Sequence, residues 1–172
     1  VRALAVEIPA ASSRSAEGAR TGIPACIDRI ATRFAEPPWD KEIVKARLEF
    51  DRRRGEVCDD EELYDLHVAA FLEWYVLERP TPGGAPPVVL AIRGGGHASE
   101  EETLLRALAH SHRSLFEVLQ IDLAPCGLQL LDLPGGGVWR VDTETPTRGL
   151  ARGDIFEARL IPWAGRVLFG PV

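Results

Sequence analysis

The apolar residues of this chain change their spacing near Ser114, and no other feature constrains the fold as tightly. Upstream they recur every three and four residues, as one face of a helix requires. Downstream they fall in short runs that alternate with polar residues, the period of a half-buried strand. Helices followed by strands predict an α+β protein: a helical domain of about four helices packed on a five-stranded antiparallel β-barrel or bent sheet. The implied division is an extended arm at residues 1–24, a helical domain at 25–113 and a small β-barrel domain at 114–172.

The arm contains PAASSRSAEGARTGIP, small and polar with Pro and Gly towards its ends. Ile27, Ile30, Ala31 and Phe34 then give the first helical face, which Pro37 and Pro38 stop. Asp40 is placed to cap a second helix, and Arg52, Arg53 and Arg54 close it where cations suit the helix dipole. The run Asp59, Asp60, Glu61, Glu62 is expected to open a third helix reaching Arg79. PTPGGAPP breaks the chain, Val88 to Arg93 is a short apolar piece, and Ser99 with Glu102 has capping-box spacing ahead of Leu104, Leu105 and Leu108.

Five short strands follow at Leu115–Leu123, Gly127–Leu133, Gly137–Asp142, Asp154–Trp163 and Arg166–Gly170. Gly135-Gly136-Gly137 and Ala164-Gly165 are the hairpin links. So many strands in so short a segment favour closure, which protects their edges.

No apolar run approaches the roughly 20 residues of a membrane span. The opening VRALAVEIPA lacks the basic region and long apolar core of a signal peptide. Cys26, Cys58 and Cys126 are odd in number and widely spaced, so reduced thiols in a cytoplasmic protein are expected. The net charge of −6 is local: residues 36–79 hold 13 acidic and 7 basic side chains. That distribution disfavours nonspecific nucleic-acid binding, which needs clustered Lys and Arg.

Motifs for chemistry are incomplete. His97, His110 and His112 lack metal-ligand spacing and read as surface or helix-end residues; neither a metal nor a cofactor is expected. HSHRS sets serines beside histidines without an elbow or an orienting acid, and Arg113 and Ser114 are better placed to tie helix to barrel. GGGH and PGGG are not phosphate loops. The barrel offers aromatics and arginines, and Trp139, Arg140, Arg159 and Trp163 are the residues to test as a nucleic-acid or partner face. Core packing of those aromatics is the favoured reading.

FLEWYVLER before a Pro/Gly break, then SLFEVLQID, LLDL and RGDIFEARLIPW, resemble a family of uncharacterised bacterial proteins. In that family an aromatic-rich helical segment precedes a small β-barrel with Leu-x-Asp-Leu and Gly-Asp turns. The resemblance covers residues 60–170 and implies the two-part architecture. It brings no catalytic residues. Some members carry a Cys-rich zinc tail of the SEC-C kind, and this chain ends in RVLFGPV without one.

On the helix that carries FLEWYVLER, Leu63, Leu66, Ala70, Trp74 and Leu77 form one broad face with Glu78 at its edge. Asp65, Ala69, Glu73 and Val76 form a narrow outward strip, so the helix is expected to be buried on several sides. Glu78 then needs a partner, and Arg47, on the apolar side of the second helix, is the expected one. The functional expectation is a non-enzymatic interaction or adaptor protein with a protein partner. The alternative is nucleic-acid binding through the barrel. The third is an enzyme with a pocket lined by Glu78, His67 or Tyr75.

Overall fold

Five helices precede five strands among the described residues, in the order that the two sequence periods require. The computed structural model describes residues 13–123, 126–143 and 149–171, with backbone alone for 13–17 and 19–21. The helices are α1 (Ser13–Arg33), α2 (Asp40–Arg54), α3 (Tyr64–Leu77), α4 (Pro87–Gly94) and α5 (Ser99–Ala109). The strands are β1 (His112–Leu123), β2 (Cys126–Asp132), β3 (Val138–Asp142), β4 (Ile155–Trp163) and β5 (Arg166–Phe169). The fold is α+β. No described helix is long and apolar enough to cross a membrane.

Gly22–Ala109 forms one compact unit, and His110–Pro171 belongs to a second. α1 begins at Ser13, inside the stretch expected to be an extended arm. Ala16, Glu17, Ala19 and Arg20 are strong helix formers, and the helix tolerates an exposed Pro24 at the loss of one backbone hydrogen bond. Residues 1–12 of that arm lie outside the described residues. Ile23, Cys26, Ile27, Ile30 and Ala31 are buried along one side of α1. Phe50 of α2 anchors α3, its ring 5.2, 5.6 and 5.5 Å from those of His67, Phe71 and Trp74. Tyr75 has no exposed surface and donates its hydroxyl to the Phe34 carbonyl at 3.0 Å, which satisfies a helix-end acceptor.

Local details depart from expectation at helix ends. Trp39, not Asp40, occupies the position before α2, and Asp40 lies in its first turn. α3 begins at Tyr64, so the acidic run precedes it; Glu61 accepts the Cys58 amide at 2.8 Å across that turn. The short apolar piece after PTPGGAPP is a helix, α4, with Pro87 in its first turn where a missing amide proton costs nothing. Glu102 reaches forward to Arg106, 2.6 Å away, along the exposed side of α5.

The sheet order is β3-β2-β1-β4-β5, every pairing antiparallel. β1, β2 and β3 follow one another as a meander, and β4 returns to lie beside β1, which is a Greek key. A register shift between Val118 and Gln120 bends β1. The Arg166 Nε of β5 reaches the Asp142 carboxylate of β3 at 2.8 Å, drawing the two edge strands into a nearly closed barrel. Phe116, Val118, Leu128, Leu130, Val141 and Leu160 fill its interior without exposed surface, each contributing about 1.5–3 kcal/mol of transfer free energy. Ala164 and Gly165, at φ 47° and 83°, turn β4 into β5 as a two-residue hairpin of the twist-matched kind.

Candidate functional site

α2 and the end of α3 meet through a charged seam, but not through the expected pair. Arg47 donates its Nε to both oxygens of Asp51, at 3.0 and 2.9 Å, and lies 5.3 Å over the Phe71 ring. Glu78 is exposed at the C-terminal cap of α3. Arg79, just past α3, joins the helices, its Nε meeting Glu49 at 2.9 Å and its Nη1 meeting Glu42 at 2.8 Å, and His67 of α3 adds a second link to Asp51. The amides of Glu78 and Arg79 both donate to the Trp74 carbonyl at 3.0 Å, so the last turn widens there. A fixed 100° step carried past that point assigns Glu78 to the wrong side. Hydrogen bonding to Arg79 lowers the Glu49 pKa; burial pushes Arg79 down, and its bonds to Glu49 and Glu42 more than restore it.

The expected outward strip of α3 also needs correction: Asp65 is exposed, but Glu73 is 3% exposed and Val76 is fully buried. Leu63 and Leu66, assigned to the buried face, are exposed. Burial on several sides holds for the second half of the helix alone. The three residues named for an enzyme pocket do not converge. His67 Nε2 is 2.9 Å from Asp51, Tyr75 bonds Phe34, and Glu78 is exposed.

One end of the barrel interior carries a polar constellation. His112 and Ser114 of β1 approach opposite oxygens of the buried Asp132 of β2, at 2.8 and 2.5 Å. His112 stacks on Trp139 of β3, with centroids 5.6 Å apart and planes at 16°. His112 is thus the first residue of a strand rather than a helix-end residue. The Ser114 hydrogen bond is the main cause of a lowered Asp132 pKa; burial opposes it, and His112 and the Gly135 amide add to it. A side chain on Gly135 would overlap that carboxylate, which explains glycine in this turn. A nucleophilic serine needs the imidazole beside its hydroxyl. Here the carboxylate stands between them, so the group orders the hairpin and does not activate Ser114.

The four residues named for a ligand face do not share one. Trp139 packs on the barrel interior, whereas its neighbour Arg140 points outward to Asp122 at 3.0 Å. Arg159 is 2% exposed and donates to the Ser111 hydroxyl at 3.1 Å. Trp163 packs on Leu168. Strand alternation separates residues 139 and 140, and the outer side of β4 is buried at Arg159 and Ile161. Arg113 and Ser114 likewise join strand to strand, through Glu157 of β4 and Asp132 of β2. Among the described residues no group of three or more His, Cys, Asp or Glu is arranged to hold a metal.

A different surface is assembled on the outside of the sheet. Leu115, Leu133, Val138 and Ile155 are 48, 40, 62 and 60% exposed. The Leu133 amide bonds the Leu115 carbonyl at 3.0 Å, and Leu131 faces Val138 across β2 and β3. Glu117 lies opposite Leu131 on one side and Ile155 on the other. Directly opposed side chains stand about 5 Å apart, so these residues make one apolar surface with Glu117 inside it and Glu157, opposite Leu115, at its border. A sequence signal for it was present: β1 and β4 place apolar residues on both parities, beyond what one buried face needs. Comparison with protein-family models, with curated proteins and with solved structures finds no match to this chain.

Proposed function

We propose that the protein is a non-enzymatic interaction or adaptor module that docks a protein partner on the outer face of β4, β1, β2 and β3. The observation carrying this reading is the apolar surface of Leu115, Leu133, Val138 and Ile155, exposed on neighbouring strands. Water-facing leucine, valine and isoleucine are ordinary singly, whereas a contiguous group marks an interaction surface. The mixed polar rim, with Arg113 on Glu157 and Arg140 on Asp122, is the usual border of such a surface. The reading places the protein in the cytoplasm, where Cys26, Cys58 and Cys126 remain thiols.

The test compares the full chain with a V138D/I155D double variant in affinity capture from the native lysate, with circular dichroism confirming an unchanged fold. The expected result is a specific protein retained by the parent and lost from the variant. Identical captures from both would overturn this surface as the docking site.

A further inference from the structure

We infer that the partner presents a Lys or Arg set among apolar side chains, and that Glu117 receives it. This rests on the interaction reading above and adds its chemistry. Glu117 sits within the apolar surface, flanked by Leu131 and Ile155, with Leu115 two residues earlier on the same face. It is half-buried, and its carboxylate makes no hydrogen bond or ion pair with another described residue. The other charges of this face are neutralised in place: Arg113 lies 2.6 Å from Glu157, and Arg140 lies 3.0 Å from Asp122.

A partner covering Leu115, Leu131, Val138 and Ile155 must therefore also cover a carboxylate that no described residue neutralises. Removing such a group from water is costly unless a cation or a strong donor meets it. An apolar segment without a base would lose on Glu117 much of what it gained on the leucines. A basic group flanked by apolar residues satisfies both, and it also selects against acidic competitors. A second copy of this chain is the wrong occupant. A two-fold contact through this face buries two copies of Glu117, and the cations that the face itself offers, Arg113 and Arg140, are already held by Glu157 and Asp122.

Panning a random displayed-peptide library on the full chain tests this, with E117Q, E117K and V138D/I155D in parallel. The parent should enrich sequences with Lys or Arg between Leu, Ile or Phe. E117K should weaken those peptides by at least about tenfold and enrich acidic–apolar ones instead. Enrichment of apolar peptides with no preference for charge, equal on the parent and E117Q, would sink the role of Glu117 and leave the docking face standing. Equal enrichment on the parent and V138D/I155D would remove the face itself. Reversible dimerisation in sedimentation velocity, lost in V138D/I155D, would make the occupant a second copy and overturn the inference.

Discussion

In the helical unit a half-buried cation is shared by two carboxylates, whereas in the barrel a buried carboxylate is shared by a hydroxyl, an imidazole and a backbone amide. Arg79 follows the end of α3, and its partners Glu42 and Glu49 lie seven residues apart on α2. Asp132 ends β2, with Ser114 and His112 on the adjacent strand and Gly135 in the following turn. The first arrangement depends on two helices finding each other with long, adaptable side chains. The second is imposed by strand register and a tight turn, with little freedom to adjust. Both groups sit where an element ends and backbone polar groups need partners, whereas Glu73 within α3 and Arg159 within β4 are charges buried inside an element.

The largest effect is expected at the adaptable seam. Arg79→Ala leaves Glu49 with Arg53 at 2.6 Å and Glu42 with Lys45 at 3.7 Å as their remaining cations, and should destabilise by up to about 3 kcal/mol in urea unfolding. Glu49 keeps 29% of its side chain exposed, which places the loss at the low end for a broken buried pair. A loss below about 1 kcal/mol would mean that water replaces the guanidinium, erasing the contrast with the barrel.

Acid titration sharpens the comparison from the other side. The Asp132 pKa is lowered on folding, so the unfolded chain takes up its proton first as pH falls. Its stabilisation is fully present above the ordinary carboxylate pKa of about 3.9 and is lost as pH drops through the lower folded value. Asp51 behaves alike: burial raises its pKa, but bonds from His67 and Arg47 leave it net lowered. Asp132→Asn should remove the barrel's share of this acid sensitivity, read from hydrogen exchange of β1 and β2 amides. An unchanged acid profile in those strands would assign the sensitivity elsewhere.

The smallest effect is expected at the residue that the sequence nominated most strongly. Glu78→Gln should shift stability by no more than about 0.5 kcal/mol, because Glu78 is exposed at a helix cap. A cost comparable with that of Arg79→Ala would restore Glu78 as a structural acid.

Strand positions were readable residue by residue, because alternation is local and every second side chain of a strand must face one side. Phe116, Leu128, Leu130 and Leu160 fall within the strands that alternation located, and the structure decides that theirs is the interior side. Glycines and turn residues then marked the hairpins, where φ above zero is required, as at Gly136 and Gly165. Helices were readable in their middles and misread at their ends, since a cap depends on hydrogen bonds that periodicity does not describe. The start of α1 inside a Gly- and Pro-containing stretch is one case, and the widened turn at Trp74 is the other.

The sequence by itself determined that this chain is α+β, where its strands run, and that the acidity belongs to the helical half. Those properties follow from local geometry and composition, which each segment carries regardless of its neighbours. Tertiary structure alone decided that Arg79 rather than Arg47 ties α2 to α3, that Arg159 is buried, and that Leu115, Leu133, Val138 and Ile155 share one exposed surface around Glu117. Each depends on which strand or helix lies alongside. That choice is made by pairing and burial across residues distant in the chain, and no local period encodes it.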